Sequence, residues 1–250
     1  CGVIGTIIVE KKLVMMSGSI AHASFGGIGL GYMIGVEPIY TAMAFSVAAS
    51  LATVSISKKS RTNTDVLMGM FWSIGMALGV IFIALTPGYP PDMTSYLFGD
   101  ILTVSRSDLW MILALVIVVL FAVISLFNIL KAYIFDEEFC KVIKINTKFI
   151  TYTLFILIAL SVVVMIRVVG IILVIALLTA PTAAIRLFTN NLKKIMIFSS
   201  LASMLYCFLG LWVSYNLNIA SGATIILISG LGYLVALGVK QLWQRRLRRT

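Results

Sequence analysis

Runs of about 20 mostly apolar residues follow one another along the chain with only short polar breaks between them, and each is long enough as a helix to cross a hydrocarbon core of about 30 Å. In a bilayer every backbone amide must find its partner within the protein, so runs of this length specify helices. Charge and punctuation place eight of them, at residues 16–35, 39–57, 65–85, 109–131, 149–167, 170–188, 194–214 and 222–240. The opening CGVIGTIIVEKK has too few apolar residues before Glu10 to span, and reads as the tail of a truncated first helix. The expected fold class is all-α: a polytopic helical bundle of eight full spans plus that partial one, a single transmembrane domain over residues 1–250. Composition excludes a water-soluble globule, at 61% hydrophobic and 11% charged where soluble domains carry about 25% charged residues.

If the partial helix runs outside to inside, alternate connections share a side, and the basic residues sort by side. Seventeen of the nineteen fall on one face, from Lys11 and Lys12 through Lys58, Lys59 and Arg61 to the terminal Arg245, Arg246, Arg248 and Arg249. The other face keeps Arg106 and Arg167. The positive-inside rule then orients the carboxy terminus to the cytoplasm of a multi-pass plasma-membrane protein. These charges are scattered over juxtamembrane loops without aromatic interleaving, so the expected surroundings are a lipid bilayer and no nucleic acid.

Two connections exceed a turn. The outer one, Thr86 to Asp108, holds three prolines and then an apolar patch, Tyr96 to Val104, expected as a short half-buried or re-entrant helix. The inner one, around residues 134–148, begins with Asp136, Glu137 and Glu138 and continues with Lys141, Lys144 and Lys148. Early acids and later bases suit a helix dipole, and Glu137 meets Lys141 at i, i+4. Phe135, Phe139, Val142 and Ile143 recur on one side, predicting an amphipathic helix along the inner face that a docking partner could grip.

Within the spans, Ser19, Ala23, Gly27, Gly31 and Gly35 form an unbroken i, i+4 row, with shorter rows at Gly69, Ser73 and Ala77 and at Ala176, Ala180 and Ala184. Small residues let helix backbones approach closely, so these rows predict packing. His22 lies one row over, about one and a half turns into its span. An imidazole at that depth marks either a functional site, with metal ligation one way to satisfy it, or a histidine hydrogen-bonded to a neighbouring carbonyl. Asp65, opening its span, is a helix cap or an inner-mouth ligand. Met15, Met16, Met68 and Met70 could form a soft-metal route but read as core filler, which leaves the metal path on His22 rather than on sulfur. Cys1, Cys140 and Cys207 have neither disulfide nor zinc spacing and read as small buried hydrophobes. No nucleotide-binding loop, zinc-protease motif or nucleophile–base pair occurs, so the chain is not expected to be an enzyme or to hydrolyse ATP.

Five stretches, in order, resemble the motifs of the ABC-3 family, the membrane subunits of zinc, manganese and iron ABC importers: Gly5 to Tyr32, Asp65 to Val80, Tyr96 to Leu109, Phe135 to Asn146 and Val169 to Leu187. The resemblance implies a fold similar to the cobalamin- and siderophore-type importer permeases, a homodimer with a central path, two cytosolic ATPase subunits and an extracytoplasmic metal-binding protein. It implies a transported divalent metal ion and no resident cofactor; the candidate metal residues are His22 and, in its inner-mouth reading, Asp65. Phe135, Asp136, Glu137, Glu138, Phe139, Cys140 and Lys141 would then couple the bundle to the ATPase. The chain departs from the family pattern at Gly18, where an aspartate commonly precedes the histidine by one turn, and at Cys140 and Lys144, where the coupling segment commonly has alanine and glycine. The competing reading of the composition, a self-contained secondary metal transporter or channel, would need several buried acids and an internal repeat.

Overall fold

A computed structural model describes residues 1–60, 64–87, 99 and 104–247. Eleven helices run through them: α1 Gly2–Glu10, α2 Val14–Ile34, α3 Pro38–Ser60, α4 Thr64–Ala84, α5 Arg106–Ser125, α6 Phe127–Phe135, α7 Glu137–Val142, α8 Thr147–Val169, α9 Ile171–Arg186, α10 Leu192–Leu217 and α11 Ser221–Leu247.

Six of these, α3, α4, α5, α8, α10 and α11, are both long and apolar enough to cross a membrane. Two of the eight expected spans have a different character. α9 has 16 residues, a rise of about 24 Å, short of the usual core thickness. α2 is long enough but rich in glycine and serine, and it is covered by protein, with residues 16–21, 23–29 and 31 all buried. A helix sheathed by other helices does not need the apolar surface that one facing lipid needs. The expected span over 109–131 also divides: α5 ends at Ser125, and Leu126 (φ −103°, ψ 11°) separates it from α6.

α2 lies between α3 and α4. Its glycines make the fit: a Cβ on Gly27 would stand 2.6 Å from Ala42 Cα of α3, and one on Gly29 would stand 2.6 Å from the Gly79 carbonyl oxygen of α4. Ser19 donates to the Met68 carbonyl oxygen at 2.6 Å, fixing the register of α2 against α4. The expected small-residue row therefore faces two helices: Ser19 and Ala23 meet α4, while Gly27 and Gly31 meet α3. Gly35 is a correction to that row. It caps α2 in the left-handed region (φ 71°) with no neighbour within 4 Å of where a Cβ would stand, so its role is to end the helix. Gly69, Ser73 and Ala77 lie on the exposed face of α4, while its contact with α2 is made through Gly75 and Gly79.

α8 is the axis of the bundle, buried over most of its apolar length where α5 is mostly bare. It lies antiparallel to α3, where Ser50 donates to the Phe155 carbonyl oxygen. α9 turns back after a single linking residue, Gly170, at φ 77° and ψ 165°. That conformation is open essentially to glycine alone. α1 is short but enclosed, Ile7 and Ile8 being fully buried, and it packs against α9 and α10 through Gly5 and Gly2. The short helix expected over Tyr96 to Val104 lies almost wholly outside the described residues.

Candidate functional site

His22 is half-buried on the α4 side of α2. Its ring stacks on Trp72, with centroids 4.0 Å apart and planes at 14°, and its Nδ1 is 3.4 Å from the Met76 sulfur. A Cβ at Gly18, one turn earlier, would stand 3.2 Å from Cζ3 of the same indole. The tryptophan therefore fills the space into which a longer side chain at position 18 would project, which gives a physical reason for glycine there. Asp65 is exposed in the first turn of α4, seven residues before Trp72, or about 10 Å of helix rise. The structure does not bring Asp65 to His22, and among the described residues no three of His, Cys, Asp or Glu cluster. Sulfur, set aside in the sequence reading, proves to be the nearest partner of the imidazole. Met76 is not one of the four methionines that drew attention in the sequence. What the site can offer a passing cation is one imidazole nitrogen, one thioether and an aromatic face.

The expected inner helix is shorter than its apolar pattern. Asp136 is extended (φ −147°) and caps α7, accepting a hydrogen bond from the Phe139 amide at 2.8 Å. Asp at an N-cap breaks the continuity that would have placed Phe135 in the same helix, so α7 is six residues long and Phe135 belongs to α6. At the other end the Ile145 amide donates to Cys140 and the Lys144 amide to Lys141, closing a Schellman turn with Lys144 at φ 59°. Lys144 is one of the departures named from the sequence. Cys140 is fully buried, in keeping with the small-hydrophobe reading. Phe135, Phe139, Val142 and Ile143 are all exposed.

Glu137 anchors α7 to the bundle, reaching both Lys11 and Lys141 at 3.5 Å. Lys11 also sits 3.6 Å over the Tyr133 ring. Burial pushes the Lys11 ammonium below its ordinary range despite Glu137 beside it, and burial pushes the Tyr133 phenol up to about 12. Tyr133 meets the Thr151 hydroxyl at 2.8 Å, and Lys58 donates to that hydroxyl at 3.1 Å. At the opposite end of the bundle, Arg167 on α8 pairs with Glu37, beside α3, and with Asp108 on α5 at 2.7 Å. Sequence spacing had flagged Glu137 with Lys141 and singled out Arg167 by side. Lys11 was noted only as a base of the opposite side, and Tyr133, Glu37 and Asp108 had no signal, because their partners come from distant segments.

A model of the ABC 3 transport family matches residues 1–240. The chain belongs to that family. Among curated members, an uncharacterized membrane protein of Synechocystis is 39% identical over 96% of this chain and 86% of its own length. The manganese transport system membrane protein MntC of Listeria monocytogenes is 34% identical over 94% of this chain and 84% of its own. Among solved structures, PsaBC from Streptococcus pneumoniae in complex with a Fab superposes with a TM-score of 0.83 at 29% identity, covering 94% of this chain and 84% of that one. As an ABC-3 chain with six candidate spans, this is a multi-pass membrane permease.

Proposed function

We propose that the chain is the permease subunit of an ATP-driven importer of divalent metal, with manganese the first substrate to test. What carries the reading is the match, over 94% of this chain, to relatives that bear the name of manganese transport. The basic end of the bundle is then cytoplasmic, and α2 and α9 complete eight crossings, sheathed by their neighbours. α7, with its exposed Phe139 and Val142 and its anchor through Glu137, is the element that two cytosolic ATPase subunits would grip. The permease itself would work as a homodimer fed by an extracytoplasmic metal-binding protein. His22 with Met76 would offer transient ligation on the path, two donors being weak enough to release what they bind.

A self-contained transporter is less well supported. The withdrawn acids Asp108 and Glu10 are each held by an arginine, Arg167 and Arg186, which leaves neither available to carry a coupling proton. The deciding experiment is manganese, zinc and iron uptake in cells lacking the chain, at limiting metal, with and without an intact ATPase. Unchanged uptake of all three metals would refute the importer reading.

A further inference from the structure

At the basic end, the turn after α1, the last turns of α3 and the starts of α4 and α8 surround an open cleft of about 210 Å³, lined by Lys11, Lys58, Tyr133, Glu137 and Thr151 among others. We propose that this cleft binds a phosphate group, and that its source is the headgroup of an anionic lipid in the leaflet at that end. The two ammonium groups face one carboxylate, and that carboxylate is already shared with Lys141. Lys58 has no acid partner among the described residues. It donates to Thr151, whose oxygen is committed further to Tyr133 and to the Thr147 carbonyl, and its ammonium lies 5.8 Å from the Tyr152 ring centroid, contacts that leave its charge without a counter-ion. The Ser57 and Thr64 hydroxyls line the same cleft and are hydrogen-bonded to each other at 2.8 Å, which leaves one of the two protons for an anion. Lys11 is largely withdrawn from solvent while Lys58 stands exposed at the mouth of the cleft, so an anion seated between them would meet both, and the depressed Lys11 ammonium is consistent with a positive charge short of partners.

Size and depth select the source. A nucleotide needs a pocket of about 300–1,000 Å³, more than the cleft holds, whereas a phosphate with a small headgroup fits. Lys11 directly follows α1 and Lys58 lies in the last turn of α3, the level at which headgroups lie, and basic pockets between helices there take anionic lipids.

The test is native mass spectrometry of the full chain in mild detergent, titrated with phosphatidylglycerol, phosphatidylcholine or inorganic phosphate. Lys58→Gln should bind phosphatidylglycerol about fivefold more weakly than wild type. Lys58→Arg should bind near the wild-type level, as should Lys144→Gln, which removes an exposed charge outside the cleft. Phosphatidylcholine retention should be the same in all four proteins. An equal loss in Lys58→Gln and Lys144→Gln would reduce the effect to diffuse surface attraction and overturn the site. Displacement of phosphatidylglycerol by an equal concentration of inorganic phosphate would overturn the lipid source. A measurement on wild type alone decides the matter if Lys58→Gln does not fold: phosphatidylglycerol should shield the Lys58 amine from acetylation and phosphatidylcholine should not. Equal labelling in both lipids would overturn the proposal. None of these outcomes depends on which metal is transported.

Discussion

Gly27→Ala adds one methyl group where α2 and α3 touch. The new Cβ would stand 2.6 Å from both Ala42 Cα and the Thr41 carbonyl oxygen, and 2.8 Å from Phe45 Cβ. Carbon atoms rest about 3.5–4.0 Å apart, so the helices would have to part by roughly 1 Å at that level, and a gap of that size forfeits about a quarter to a half of each contact it opens. α2 cannot retreat, because its other side carries Gly29 against the Gly79 carbonyl and Ala23 against Gly75 of α4. With no slack on either side, the cost falls at the upper end of the range for overpacking, about 3 kcal/mol. For a chain of this size that is a fall in Tm of roughly 6–12 °C. Gly69→Ala is the control, since nothing lies within 4 Å of its Cβ position, and the gain in helix propensity should stabilise it by up to about 1 kcal/mol. Thermal melting of the detergent-solubilised protein, followed by size-exclusion fluorescence, compares the two. If Gly27→Ala melts with wild type, or if both substitutions shift Tm equally, the close contact of α2 with α3 is refuted.

Charge reversal at Glu137 and Glu138 together, or Phe139→Glu, should abolish metal uptake with membrane insertion intact by fractionation; normal uptake would remove the coupling role of α7. His22→Ala should slow growth at limiting metal without lowering the amount of assembled protein, and Gly18→Asp should bind metal measurably only when combined with Trp72→Leu, which frees the space that the indole fills. Lys144→Gly should stabilise the turn after α7 by about 1 kcal/mol, relieving a left-handed lysine; slower amide exchange at Lys144 and Ile145 would register it. Tyr133, raised to about 12 by burial, keeps its proton in the fold after unfolded tyrosine has lost it. The stability it gives is full below about pH 10 and drains away as pH rises toward 12. Ultraviolet titration of wild type against Tyr133→Phe should therefore show one late phenolate disappear.

The apolar runs were legible because lipid exposure demands a long uninterrupted stretch, and α3, α4, α8, α10 and α11 keep close to their expected bounds. The character of α2 was harder to read. Its glycines announced close packing, but one sequence cannot say that Ser19 and Ala23 serve a different neighbour from Gly27 and Gly31. The inner segment shows a similar gap. Phe135 and Phe139 keep helical spacing across Asp136, and only the extended backbone at that aspartate reveals that the helix has been restarted. At the candidate site, His22 was legible as a lone intramembrane imidazole, but its partners Trp72 and Met76 lie two helices further along the chain, and nothing in their spacing ties them to it. Arg167 was noticed as an outer base. That it gathers Glu37 and Asp108 is a property of where α3, α5 and α8 meet.

The backbone contact of α2 with its two neighbours also bears on how the molecule can move. Side chains that interdigitate can slip by changing rotamer, but glycine against backbone has no rotamer to change. Sliding α2 along α4 would drive Phe25, whose backbone and ring already crowd Gly79, over the next residues of α4 before another small pair came into register. Intermediate positions are therefore steeply uphill, and such a surface behaves as a lock rather than a bearing. α2, α3 and α4 should travel as one block. Relative motion is then left to the seam where α3 meets α8, crossed by the Ser50 bond to Phe155, with the Arg167 pairs at one end and the Lys58 to Thr151 contact at the other. Those polar fastenings can be undone one at a time.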